Sequence, residues 1–137
     1  MRVDSKIFVS KRNVDIRNMG ANNMVAVNLF TDRMVEYYGE NKPSVDTPIQ
    51  VQLYNIYPNV NFMLHTHAYV EGAPFTTGSP VPCGSLEEVG KIWDIMPWEN
   101  STSFAINLKG HGSILFMSEF TEMTKFKLTP KPMPENM

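Results

Sequence analysis

The sequence predicts a single α/β domain in which two helices cover a sheet. Strand-like apolar runs alternate with two segments of helical periodicity, which is typical of this class. A chain of 137 residues has the length of one domain, and its content of 42% hydrophobic and 19% charged residues is ordinary for a globular protein. With no internal repeat or linker to divide it, we expect one domain over residues 1–137.

The strands are predicted from short runs rich in β-branched and aromatic residues that are bounded by turn residues. They cover residues 6–9, 24–29, 34–38, 60–67, 104–108 and 113–117. The segment 31–33 is the turn between the second and third of them. Alternation within the strand 60–67 places His65 and His67 on the same face.

Two helices are predicted from capping residues and apolar stripes. The first follows Asp46, a candidate N-cap, and tolerates Pro48 in its first turn, whereas Pro58 ends it. Its apolar stripe consists of Ile49, Leu53 and Ile56. The second helix covers residues 86–95, after a capping box at residues 85–88.

Composition argues against several classes of function. The net charge is −2 and the basic residues are scattered, so we expect no surface for nucleic acid or for an anionic membrane. No apolar run approaches the roughly 20 residues of a membrane span. Cys83 is the only cysteine, which excludes an intrachain disulfide and makes a reducing cytoplasm the expected location.

The three histidines are the candidates for a functional site. His65 and His67 present two imidazoles side by side, with alpha carbons about 6.5 Å apart. His111 lies between Gly110 and Gly112, and glycines permit close approach of the backbone. Two interpretations remain open: polar residues on an exposed strand and in a tight turn, or three ligands of one ion with an open position, as in catalytic zinc sites. Imidazoles also suit iron, cobalt, nickel and manganese.

Several motifs follow one another over residues 6–117. They are Lys42-Pro43-Ser44-Val45-Asp46-Thr47-Pro48, Leu53-Tyr54, Pro58, His65-Thr66-His67, Val81-Pro82-Cys83-Gly84, Glu88-Val89-Gly90 and Lys109-Gly110-His111-Gly112. In this order and spacing they resemble the central signature of the class II aldolase/adducin family.

The resemblance implies a fold, a ligand set and an assembly. It implies that His65, His67 and His111 hold zinc or another divalent transition metal, and that Asp46 stands where the family's aldolases carry a catalytic glutamate. It implies a three-layer α/β/α fold with a central mixed, largely antiparallel sheet. It also implies a homo-oligomer, with a tetramer favoured and with sites at subunit interfaces.

The resemblance also suggests substrate-binding residues. Ser44 remains from a serine pair that binds the substrate phosphate in family aldolases, and Asn13 stands in a second phosphate loop where glycine is usual. Tyr69 and Glu71 follow His67 and are further candidates, since family aldolases use a tyrosine as proton donor. Relative to the family, we expect this chain to be a shortened member without the N-terminal helix and the first phosphate-binding segment.

The activity that the resemblance favours is a metal-dependent lyase acting on a sugar or sugar phosphate. Such an enzyme cleaves a hydroxy-carbonyl compound through a metal-stabilised enediolate, with Asp46 as base or as displaceable ligand. Two alternatives remain. The pattern Pro-Ser-x-Asp-Thr-Pro at residues 43–48 is closer to the family's sugar-phosphate epimerases. The adducin branch is a non-catalytic binding module, although a scaffold does not need the three histidines and the carboxylate.

Overall fold

Antiparallel sheets form the framework of the protein. The computed structural model describes residues 1–12, 20–29, 34–44, 46–73, 86–95 and 103–129. Within these ranges every strand pairing is antiparallel, and the strands fall into three hydrogen-bonded sheets. The α/β class is as predicted, but the expected mixed sheet has no parallel pair in the described part of the chain. The predicted turn 31–33, Ser85 of the capping box and Asn13 lie outside it.

The first sheet is built from the N-terminal third of the chain. Its strands, in spatial order, are β1 (Arg2–Val3), β2 (Lys6–Ser10), β3 (Met24–Leu29) and β4 (Val35–Tyr37). The last three are the predicted strands, with ends that agree to within a residue. One side of this sheet is buried through Val9, Val25 and Val27.

Helix α1 (Thr47–Ile56) lies between the first sheet and a second one. Val51 packs against the buried valines of the first sheet. The predicted apolar stripe packs on the other side, through Ile49, Leu53 and Ile56. Pro48 lies in the first turn, as predicted, where a missing N–H leaves no bond unmade.

Arg2 fixes the carboxyl end of α1 to the first sheet. Its guanidinium donates hydrogen bonds to four carbonyl oxygens, those of Tyr54, Tyr57, Pro58 and Val60. The last carbonyls of a helix lack partners within the helix, and a cation at this end interacts favourably with the helix dipole. The Arg2 side chain thereby provides hydrogen-bond donors for carbonyl oxygens at the carboxyl end of α1. Asp46 lies at the other end of this helix.

The second sheet positions the three histidines. His65 lies in one of its strands and His67 just after it, and His111 lies in the turn between the other two strands. The sheet has β8 (Gly112–Met117) between β5 (Phe62–Thr66) and β7 (Ser103–Leu108). One face packs against α1 and against α2 (Glu87–Ile95), which agrees with the predicted second helix to within a residue. None of the described helices is long and apolar enough to cross a membrane.

A two-stranded sheet covers the opposite face of the second sheet. It pairs β6 (Tyr69–Val70) with β9 (Leu128–Thr129). The buried Asn107 joins the two sheets, because its amide group accepts a hydrogen bond from the Val70 N–H at 2.7 Å and donates one to the Val70 carbonyl at 2.9 Å. A 3₁₀ segment, Phe120–Lys125, leads from β8 towards β9.

Candidate metal centre

Two histidines come from the end of β5. His65 is the penultimate residue of the strand, and His67 stands just beyond its last residue, Thr66. The strand is therefore one residue shorter at this end than predicted, because the Thr66 hydroxyl accepts a hydrogen bond from the Ala68 N–H at 3.2 Å and starts a bend. The two imidazole centroids remain 5.1 Å apart, so the rings are neighbours, as the spacing predicted.

The turn between β7 and β8 presents the third histidine. Leu108 and Gly112 pair in register, which leaves three residues in the turn. Gly110 has a φ of 74°, a left-handed conformation that favours glycine. The tight turn considered for His111 is thus present, but its side chain is only 11% exposed and points away from solvent.

Gly112 allows this turn to lie against the end of β5. A Cβ atom at this position would lie 1.9 Å from the Thr66 carbonyl oxygen and 2.8 Å from the His67 Cα. No side chain fits at such distances, so the approach of the two backbones depends on glycine.

The three imidazoles converge on one point. One ring nitrogen of each lies within 4.8 Å of the other two. The His111 centroid is 4.6 Å from that of His65 and 5.7 Å from that of His67. Among the histidine, cysteine and acidic residues that the structure describes, these three histidines form the group whose ligand atoms lie close enough together to hold a metal ion.

His65 has the protonation state of a metal ligand. Its Nδ1 lies 3.0 Å from the Ser113 carbonyl oxygen, which can only accept, so the ring proton is on Nδ1. The Nε2 atom is buried and has no hydrogen-bond partner among the described residues. Burial, followed by the charge of His111, lowers the pKa of His65, so the ring is neutral near pH 7. A buried, unpartnered lone pair beside two further imidazoles fits a divalent transition metal.

Asp46 turns its carboxylate towards this group instead of capping α1. The residue occupies the N-cap position as predicted, but its side chain makes no capping hydrogen bond. The turn is held by Ser44, whose hydroxyl accepts from the Asp46 N–H at 3.3 Å and whose carbonyl accepts from the Thr47 N–H at 3.1 Å. Asp46 Oδ2 lies 4.0 Å from His65 Nε2, and Oδ1 is buried without a hydrogen-bond partner among the described residues.

Glu88 is a second carboxylate beside the histidines, which the sequence did not identify as a site residue. It is 2% exposed, and its Oε1 lies 3.5 Å from His111 Nδ1. Asp46 and Glu88 thus stand at the starts of α1 and α2, where the helix dipole favours negative charge. The signal was present in the sequence: Glu88 belongs to the buried stripe of α2 together with Val89 and Ile92.

Two cavities of unequal size border His65 and Asp46. The larger has a volume of ≈ 480 Å³, within the range for small-molecule sites, and Ser44, His67 and Lys11 also line it. The smaller has a volume of ≈ 10 Å³, about the space of one water molecule, and lies among the two carboxylates, His65 and His111. The larger cavity therefore has room for a small molecule beside His65 and His67.

Two other predicted substrate-binding residues, Tyr69 and Glu71, lie elsewhere. Tyr69 is buried, and its hydroxyl accepts a hydrogen bond from the Gly110 N–H at 3.1 Å, so it supports the turn that carries His111. Glu71 is exposed, with its Oε2 3.4 Å from the Lys127 ammonium. Of the predicted substrate-binding residues that the structure describes, Ser44 lines the larger cavity and Tyr69 and Glu71 do not.

A family model identifies the chain independently of this geometry. Residues 1–90, about two thirds of the sequence, match the model described as Class II Aldolase and Adducin N-terminal domain. The chain belongs to the class II aldolase and adducin family. Asp46, His65, His67 and Glu88 lie within the part that matches this family, whereas His111 lies beyond it. The fold of the chain brings that third histidine to the others.

Proposed function

We propose that this protein is a metal-dependent lyase of the class II aldolase type that cleaves a small hydroxy-carbonyl compound, a sugar or a sugar phosphate. The observation that carries this proposal is the convergence of three histidines beside Asp46, at the border of a cavity of ≈ 480 Å³. A divalent ion held by His65, His67 and His111 would act as a Lewis acid for the negative charge that develops on oxygen. Zinc is the first candidate, because three imidazoles and an open position suit catalytic zinc.

Asp46 is the proposed base. Its Oδ1 has no hydrogen-bond partner among the described residues, so it accepts the proton of a substrate hydroxyl without first breaking another bond. As the deprotonated oxygen forms the C=O bond of the released aldehyde, the carbon–carbon bond would break. Its electron pair would pass to the carbonyl oxygen of the other fragment, which becomes an enediolate, and protonation of that enediolate would complete the reaction. Lys11 and Ser44 line the same cavity, and an ammonium and a hydroxyl suit a polar or anionic end of the substrate.

Epimerisation of a sugar phosphate is the second candidate. It is favoured by an aspartate, rather than a glutamate, at position 46 in the pattern Pro-Ser-x-Asp-Thr-Pro. In that reaction the two fragments recombine before release. The family also contains non-enzymatic adducins, and the two carboxylates beside the three histidines, of which Glu88 is buried, favour catalysis over such a role.

Other properties are proposed on the family relationship alone. They are the three-layer arrangement of helices and sheet, a homotetramer with sites between subunits, and a cytoplasmic location.

Two variants separate metal binding from chemistry. His65→Ala removes a ligand, and we expect metal affinity to fall by more than the roughly 10–100-fold that loss of a ligand's hydrogen-bonding partner costs. Asp46→Asn keeps the shape of the side chain, and we expect it to retain metal while release of aldehyde from ketose phosphates or free sugars falls roughly 10²–10⁴-fold. Metal content is measured by elemental analysis and aldehyde by a coupled assay.

The matched control is Asn55→Ala, on the exposed side of α1, which we expect to behave as wild type. Stoichiometric zinc in His65→Ala would refute the ligand assignment. If wild-type protein binds metal but cleaves none of these substrates, the proposed lyase activity is refuted.

A further inference from the structure

Glu88 occupies a position that is costly for a charged side chain. It is 2% exposed, and its Oε1 is buried without a hydrogen-bond partner among the described residues. Its surroundings in the small cavity are mostly apolar, with Ile49, Leu108 and Ile114 beside the site residues. Burial of a carboxylate in such surroundings is unfavourable unless a donor faces it. The group that faces Oε1 is Nδ1 of His111, 3.5 Å away.

The arrangement at His65 shows how this chain orients an imidazole. There, the Ser113 carbonyl oxygen faces Nδ1 at 3.0 Å, so the ring proton is on Nδ1 and the Nε2 lone pair is left for a ligand role. At His111 the oxygen atom that faces Nδ1 belongs to Glu88. A carboxylate is a stronger acceptor than a carbonyl and also raises the basicity of the ring.

We propose that Glu88 is a positioning residue of the metal centre: it accepts a hydrogen bond from Nδ1–H of His111 and so keeps Nε2 of that ring available to the ion. This inference rests on the metal site of the proposed function. The capping role predicted for Glu88 is compatible with it, because a carboxylate has two oxygens. Glu88 acts through His111 and does not touch the substrate.

The test uses Glu88→Gln, which keeps the size of the side chain and removes its charge. We expect the affinity for Co²⁺, measured by competition with a chromophoric chelator, to fall roughly 10–100-fold. We expect the unfolding free energy of the metal-free protein to stay the same or rise, because a buried charge has been removed. A residue with a merely structural role would lower both quantities together. The matched control is Glu87→Gln, the exposed neighbour on α2, which should leave the affinity for Co²⁺ unchanged.

A second measurement uses the wild-type protein and does not depend on a variant that folds. The chain has only three histidines, so long-range ¹H–¹⁵N spectra of the zinc-loaded protein resolve each ring. We expect His111 to carry its proton on Nδ1 and to bind zinc through Nε2. The opposite tautomer, with Nδ1 on the metal, would overturn the proposal.

The outcomes distinguish this inference from the proposed function. Unchanged Co²⁺ affinity in Glu88→Gln, with normal binding by wild type, rejects the role of Glu88 alone. Wild-type protein that binds neither Co²⁺ nor zinc rejects the metal centre itself, and with it both proposals.

Discussion

At the scale of single residues, the distance between two backbones decides whether the site can form. Gly112 begins β8, and the Thr66 carbonyl oxygen lies where its Cβ would be. His67 and His111 are the immediate neighbours of these two residues in the chain. Gly112, which has no side chain, therefore controls how closely His67 and His111 approach one another.

Gly112→Ala is expected to destabilise the protein and to weaken metal binding together. The added methyl group must displace the backbone of Thr66, and overpacking of this kind costs roughly 1–3 kcal/mol or more. Urea unfolding and chelator competition measure the two effects.

Gly90→Ala is the control for Gly112→Ala. It lies in helix α2 with open space around it, so alanine should stabilise the protein by about 0.5–1 kcal/mol. If the two variants have equal unfolding free energies and equal metal affinities, the role assigned to Gly112 is contradicted.

The sequence predicted some site residues and missed others for an identifiable reason. His65 and His67 were predicted to lie together because the strand period relates residues two apart, which is a local rule. The contact of Glu88 with His111 joins a helix to a turn, and no local rule connects them. Asp46 occupies the predicted N-cap position but makes no capping hydrogen bond, because Ser44 supplies the oxygen atoms of the turn instead.

At the scale of elements, the 3₁₀ segment after β8 depends on one carboxylate. Glu122 Oε1 accepts hydrogen bonds from the Ser118 hydroxyl at 2.5 Å and from the N–H groups of Ser118 and Glu119 at 2.9 and 2.8 Å. The Ser118 side chain first, and then the Glu119 N–H, lower the pKa of Glu122 from an ordinary 4.5 to about 2. The ionised form of Glu122 thus stabilises the start of this segment.

The pH dependence of stability follows from this shift. A carboxyl group whose pKa is lower in the folded state stabilises it fully above the unfolded value of 4.5, and this contribution is lost as the pH falls towards 2. The difference in unfolding free energy between wild type and Glu122→Gln should therefore shrink over that interval, as measured by urea titrations at several pH values. The control is Glu36→Gln, which removes a carboxylate at an exposed position of β4. If the unfolding free energies of wild type and Glu122→Gln differ by the same amount at every pH, the prediction is contradicted.

Element length determined which parts of the fold could be predicted. The strand Met24–Leu29 agrees in both ends, and α1 and α2 agree to within a residue, because each is long enough to show a period. The two-residue strands β1, β6 and β9 show none. Strand β1 forms because the longer β2 offers it backbone partners, whereas β6 and β9 pair with each other, which depends on the assembled fold.

At the scale of the whole molecule, the proposed ion would join parts that are distant in the chain. The ligands come from the end of β5 and from the β7–β8 turn, while the two carboxylates come from the starts of both helices. Anything that binds only the folded state stabilises it according to its concentration. Metal binding and global stability are therefore coupled.

Zinc should raise the unfolding temperature of metal-free protein in a saturable way. At a free concentration about 100 times the Kd the expected gain is about 2.7 kcal/mol, which corresponds to a shift on the order of 10 °C for a chain of this size. Differential scanning fluorimetry with and without a chelator measures it. His65→Ala should show little shift, and an equal shift in that variant would place the zinc elsewhere.

The unequal cavities that border His65 have a consequence for stereochemistry. On one side there is room for about one water molecule, and on the other there is a space of ≈ 480 Å³. In the proposed lyase, a planar carbon centre held against the histidines would therefore be open to an aldehyde on the side of the larger cavity and hindered on the other side. If the bond that such a lyase breaks is made in the reverse direction, we expect the new centre to form with a single configuration, fixed by the face that the larger cavity exposes.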